Sequence, residues 1–244
     1  MKTTKAQIST FFLVGLVILF LFFLGFLALN NVDGFGLTQE QITERLVVRE
    51  QQVSTAVTDC LHLHGTTAFE QIGLQGRLYP KRYIEYEDIQ VYDAAKRLVT
   101  LPELEREVSF YLREHVPECI TNTIDSIKGA TIEVEEEQVT TRITDKEVVL
   151  EWTQPITIRI STQQLRLERF SSTFPVRLRS LWNASEAITS TYTNQRLINL
   201  THVDTIDATT VIWPYSDGSY ILVFEDNQSR LKGMGYAYSF GLEG

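Results

Sequence analysis

Residues 131–160 read TIEVEEEQVTTRITDKEVVLEWTQPITIRI, and within this stretch the apolar period settles at two. Ile156, Ile158 and Ile160 alternate with Thr157 and Arg159, the pattern of a strand with one wetted face. Ile132, Val134, Val139 and Ile143 lie in one strand-like stretch, Asp145-Lys146 supplies a turn, and Val148 to Ile160 forms the next strand. Leu165 to Phe170 adds a third, so this region predicts an antiparallel meander.

Upstream, the period is helical. Thr38 and Gln41 form a Thr-x-x-Gln capping pattern, and Ile42, Leu46, Val53, Val57 and Leu61 follow at helical spacing, which predicts an amphipathic helix to about Leu63. A shorter helical stretch carries Ala68, Phe69 and Ile72, after which Gly73 and Gly76 break the pattern and Tyr79-Pro80 marks a loop. Residues 81–99 are aromatic and mixed and carry no clear period. Thr100 and Glu103 make a second capping box before Leu104, Val108, Tyr111 and Leu112, and Pro117 is expected to bend or restart that helix.

Downstream, Pro175 stands as a first-turn proline for a helix carrying Val176, Leu178, Leu181, Trp182, Ala187 and Ile188 and ending before Leu197. Strands are expected at Thr210 to Tyr215, Tyr220 to Phe224 and Tyr236 to Leu242, with Asp217-Gly218 as a hairpin signal. The fold class is therefore α+β. A mainly helical region (31–129) precedes an antiparallel-sheet region (130–244), as one body or two packed halves.

The N-terminus belongs to a different environment. Every residue from Ile8 to Leu29 is uncharged, and these 22 positions hold six of the 13 phenylalanines. A helix of that length spans roughly 33 Å, enough for a hydrocarbon core of about 30 Å. The run exceeds the roughly 7 to 15 apolar residues of a secretory signal, so the helix is expected to be retained as a transmembrane or pilin-like segment over residues 7–30. Lys2 and Lys5 precede it, which predicts a cytoplasmic N-terminus and an extracellular body, with the lipid bilayer as a partner. The remainder holds 20 basic and 31 acidic side chains, a net charge of -11, which disfavours nucleic acid as a partner. Asn30 to Gly36 is polar and glycine-rich, a flexible exit from the membrane.

Lys5-Ala6-Gln7-Ile8-Ser9, immediately before the apolar run, resembles the class III signal of archaeal type IV pilin-like proteins. The resemblance implies a leader of residues 1–6, cleavage between Ala6 and Gln7 by a prepilin peptidase, and self-assembly through the surviving apolar helix. Loss of both lysines would free that helix to leave the bilayer and pack against its copies. The chain also resembles uncharacterised membrane-anchored proteins of small-genome archaea. That likeness rests on the Cys60-Leu61 helix, Gly73-Leu74-Gln75-Gly76, Leu112 to Cys119 with Pro117, Phe174-Pro175-Val176-Arg177-Leu178 and the aromatic C-terminal strand. One departure stands out: many archaeal pilins carry glutamate at the fifth mature position, where this chain has Phe11.

The candidate chemistry is sparse. Cys60 and Cys119 both fall on the exported side, where an even pair favours one disulfide stapling the membrane-proximal helices. The alternative is a zinc set, because His64 and His115 each lie four residues from a cysteine, although Pro117 would disturb the helical register that aims them together. Asn183-Ala184-Ser185, Asn199-Leu200-Thr201 and Asn227-Gln228-Ser229 are candidate N-glycosylation sequons, with Asn227 expected in a loop and Asn183 readable as a polar helix position. Glu133, Glu135, Glu136 and Glu137 form an acidic patch without the Asp, Asn and Gly of a calcium loop, and read as a solvated strand face. His62 and His202 are isolated. No local catalytic or cofactor motif occurs, so neither a cofactor nor a catalytic residue is expected. The leading expectation is a glycosylated, adhesive or structural surface subunit of pilin-like type. The alternatives are a monomeric signal-anchored binding module and, more weakly, an anchored hydrolase whose dispersed site leaves no motif.

Overall fold

The longest element, α2 (Gln39–Gln75), is a single helix of 37 residues that joins the amphipathic helix expected to about Leu63 with the shorter stretch expected through Ile72, and it runs past Gly73, where the sequence predicts a break. The computed structural model describes residues 14–25, 38–86, 89–128, 130–132, 137–199, 201, 207–215 and 217–244. The leader, the Ala6–Gln7 junction, Phe11, the exit segment, Glu133, Glu135, Glu136 and His202 lie outside the described residues. The capping box of α2 is present: the Gln41 N–H donates to Thr38 Oγ1 at 3.3 Å, and the Thr38 N–H donates to Gln41 Oε1 at 3.1 Å.

Glycines do not break α2 because the sheets come up against its backbone. A Cβ on Gly65 would stand 2.5 Å from a Phe174 ring carbon and 2.6 Å from Leu150 Cδ1, and one on Gly73 would collide with the Ala237 carbonyl. Packing at this closeness offsets the roughly 1 kcal/mol of helix propensity each glycine costs. The helix ends only at Gly76, whose φ of 79° forms a left-handed cap with its N–H donating to Ile72 O.

Residues 81–99, unassigned from the sequence, contain a hairpin of β1 (Tyr83–Tyr86) and β2 (Ile89–Tyr92). The helix α3 (Leu101–Ile124) then continues through Pro117, so that residue does not restart it.

A second sheet is built on β5 (Val148–Ile160), which pairs with β6 (Gln163–Phe174) along its whole length. Its other edge takes β4 (Gln138–Ile143) against 148–153 and β3 (Ala130–Ile132) against 156–158, end to end as one interrupted strand. The β5–β6 register also shifts between Thr153 and Ile156, where Pro155 lies. A proline has no N–H for the ladder, so a central strand tolerates it where pairing is already irregular.

The helix α4 (Leu178–Gln195) starts three residues beyond Pro175, so that proline precedes the cap rather than occupying the first turn. The third sheet is a meander of β7 (Ala208–Pro214), β8 (Tyr220–Leu231) and β9 (Met234–Leu242). Its last turn places Lys232 at φ 52° and Gly233 at φ 78°, the left-handed pair a two-residue hairpin requires.

The main core joins Val57, Leu61 and Phe69 of α2 to Leu112 of α3, Leu150 and Trp152 of β5, Phe174 of β6, Leu181 of α4 and Tyr238 and Phe240 of β9. The regions on either side of residue 129 thus share one interior. A smaller cluster of Val91, Ile221 and Val223 lies where the β1–β2 hairpin meets the third sheet, so β8 buries alternate residues on both faces. Asp93, just after β2, ties the C-terminus down: its Oδ1 accepts from the N–H groups of Ala95 and Glu243, both at 3.1 Å.

Candidate functional site

Cys60 of α2 and Cys119 of α3 form a disulfide with a Cα–Cα separation of 5.9 Å. The bond consumes both sulfurs, so no thiolate remains for the four-ligand zinc set that the spacing allowed. Pro117 does not spoil the convergence, because α3 continues as a helix through it. One helical turn along each helix, in opposite chain directions, His64 and His115 meet with ring centroids 6.1 Å apart and planes tilted by 42°.

The His115 ring is held firmly. It stacks on Tyr111 with centroids 4.1 Å apart, and its Nδ1 lies 2.8 Å from the Tyr111 carbonyl oxygen. A carbonyl only accepts, so Nδ1 is the donor in this contact and Nε2 takes no part in it. Burial, reinforced by the neighbouring His115, holds the His64 pKa below the usual imidazole range. His62 points elsewhere and stacks on Phe174 at 5.1 Å. Among the described residues no group of three or more His, Cys, Asp or Glu gathers to hold a metal ion.

The three sequons fare differently. Asn183 is exposed on α4, but its partner Ser185 is fully buried and donates to the Trp182 carbonyl at 2.7 Å. Asn227 lies in β8, at the register shift between Asp226 and Arg230, rather than in the expected loop. Its partner Ser229 is also fully buried, donating to Asp226 Oδ2 at 2.5 Å and accepting the Arg177 N–H. Asn199 and Thr201 are both exposed beyond the end of α4, and Asn199 Oδ1 accepts from the Thr201 N–H at 3.0 Å and hydroxyl at 2.6 Å.

A basic groove, not anticipated from the sequence, opens beside the first turns of α2. Arg45, Arg49, Lys128 and Arg159 line a cavity of about 530 Å³ together with Glu44 and Val48. Arg45 and Arg49 are four apart on α2 and legible as one helix face. Lys128 follows α3 and Arg159 is the penultimate residue of β5, so only the fold brings them there.

The remaining feature is the helix α1, described over residues 14–25. All of its side chains are exposed, from Leu24 at 46% to Phe22 at 77%. Among the described residues no helix is both long and apolar enough to cross a membrane. No protein family, curated protein or solved structure matches this chain.

Proposed function

We propose that this chain is a pilin-like, membrane-anchored surface protein whose apolar N-terminal helix holds an acidic, disulfide-stapled α+β body outside the cell. The observation that carries the reading is α1: Val14, Leu16, Val17, Ile18, Leu19, Phe20, Leu21, Phe22, Phe23 and Leu24 stand exposed on one helix among the described residues. Burying one such side chain is worth about 1.5–3 kcal/mol, so this surface is stable only in lipid or against other apolar helices.

Both environments suit a pilin-like subunit. A bilayer admits a single span only where the backbone groups are bonded within a helix, and the absence of charge from Ile8 to Leu29 suits that environment. Cleavage between Ala6 and Gln7 removes Lys2 and Lys5 from the inner end, after which copies pack helix against helix as a filament core. The body then presents the adhesive or structural surface. The Cys60–Cys119 bond supports the exported placement, because disulfides persist on the oxidising side of a membrane.

Phe11 favours a second reading, an uncleaved signal anchor displaying a monomeric binding module, because it replaces the carboxylate the pilin resemblance leads one to expect at that position. Mass spectrometry of the N-terminal peptide of protein extracted from its native membrane separates the two. A mature start at Gln7 is expected; an intact Met1 to Ala6 overturns processing and leaves the anchor. Recovery in the soluble fraction without detergent overturns both.

A further inference from the structure

We propose that His64 and His115 form a bis-imidazole site for a divalent transition-metal ion of the zinc type, bridging α2 and α3 one turn from the disulfide. The argument is geometric. Metal–imidazole bonds are about 2.0–2.1 Å, so two rings sharing one ion have centroids roughly 5 to 6.4 Å apart. The 6.1 Å separation of His64 and His115 lies toward the wide end of that span, and because His115 is held, reaching tetrahedral geometry requires the His64 ring to rotate toward it.

The surroundings prepare both rings. His115 donates its Nδ1 proton to the Tyr111 carbonyl and is clamped by the Tyr111 ring, the arrangement that fixes the tautomer and orientation of a metal-bound histidine and leaves Nε2 as the ligand. His64 is half-buried on the facing helix, with its ring 6.1 Å from that of His115. The Cys60–Cys119 bond, with 5.9 Å between the two cysteine Cα atoms, ties the helices together one turn from the rings. Two imidazoles leave the remaining coordination positions to water, which makes the site open and exchangeable rather than a closed structural centre. Imidazole suits zinc, copper and nickel, and the hard cations calcium and magnesium, which prefer oxygen, are disfavoured.

The site does not depend on the membrane reading, since both helices belong to the folded body. The test is calorimetric titration of the oxidised full chain in detergent with zinc ion alone, checked by thermal unfolding with and without the ion. One ion per chain and a raised unfolding temperature are expected. H115Q and H64Q should each weaken binding by about tenfold or more, a loss of the size that follows disruption of a metal site. H62Q, on the ring stacked against Phe174, should bind as the unaltered chain does. His115 is exposed, so H115Q is expected to keep the fold, which peptide mapping of the intact disulfide verifies. Unchanged binding in H115Q, loss in H62Q, or equal binding of magnesium overturns the proposal, as does no heat with zinc.

Discussion

Arg177 and Asp226, 49 residues apart, form a two-pronged ion pair: Nε donates to Oδ2 at 3.0 Å and Nη2 to Oδ1 at 2.6 Å. The pair joins the start of α4 to β8 at the point where that strand shifts register. Ser229 and the Gln228 N–H add two more donors to the same carboxylate, whose side chain is fully buried. Asp226→Asn keeps the shape but removes the charge opposite Arg177. The guanidinium retains some solvent contact, so the expected cost is on the order of 2–3 kcal/mol, below the range for a wholly buried pair. Urea unfolding of the full chain in detergent measures it, and a loss under about 0.5 kcal/mol would show that water replaces the pair.

The same carboxylate sets an acid limit. Burial pushes the Asp226 pKa up, but the hydrogen bonds from Arg177, Ser229 and the Gln228 N–H outweigh it and hold the group below its ordinary value. A depressed folded pKa gives stability that is complete above the unfolded value of about 3.9 and is lost as pH falls through the folded one. Unfolding midpoints measured from pH 6 down should therefore fall less steeply in Asp226→Asn than in the unaltered chain.

Asp93 carries the opposite sign. Burial, the largest influence, raises its pKa despite the Ala95 N–H and the nearby Lys96 and Arg82. Its charge is thus a liability at neutral pH, while its Oδ1 is needed as an acceptor. Asp93→Asn preserves the acceptor and is expected to leave stability unchanged within about 0.5 kcal/mol or to raise it. Asp93→Leu strands the Ala95 and Glu243 N–H groups and is expected to cost about 1–3 kcal/mol.

Gly65→Ala and Gly73→Ala should both destabilise, although alanine is the better helix former. At Gly65 the obstacle is a core ring and a leucine methyl, for which overpacking costs about 1–3 kcal/mol. At Gly73 it is the Ala237 carbonyl, which cannot rotate away without moving β9. Gain of stability in either variant would mean that the sheets stand further from α2 than described.

Loss of the disulfide by paired Cys60→Ser and Cys119→Ser is expected to lower stability by about 3–4 kcal/mol in the chain-entropy account, since the bond closes a long loop. Peptide mapping without reductant should recover the two cysteines in one linked peptide. Separate alkylated peptides would contradict the bond.

If the body is glycosylated on export, the glycan should sit on Asn199 and not on Asn183 or Asn227. An accepting enzyme needs the hydroxyl residue of the sequon, and Ser185 and Ser229 are both buried and engaged. Intact-mass comparison of Asn199→Gln with the unaltered native protein checks this.

Signals carried within a few residues were legible in the chain itself. The Thr38–Gln41 box, the period-two alternation of Ile156, Ile158 and Ile160, the Asp217-Gly218 turn and the apolar run through residues 14–25 each depend on near neighbours, and so does the α+β class they imply. Where the reading failed, a distant contact had overridden local preference. Gly73 sits inside α2, where β9 presses on its backbone. The polar stretch from Glu225 to Arg230 extends β8 because Asp226 has a buried partner in Arg177. The Cys60–Cys119 and His64–His115 pairs show both levels in one place. Four-residue spacing places each histidine one turn from a cysteine, but only the antiparallel docking of α2 and α3 decides that sulfur meets sulfur and imidazole meets imidazole.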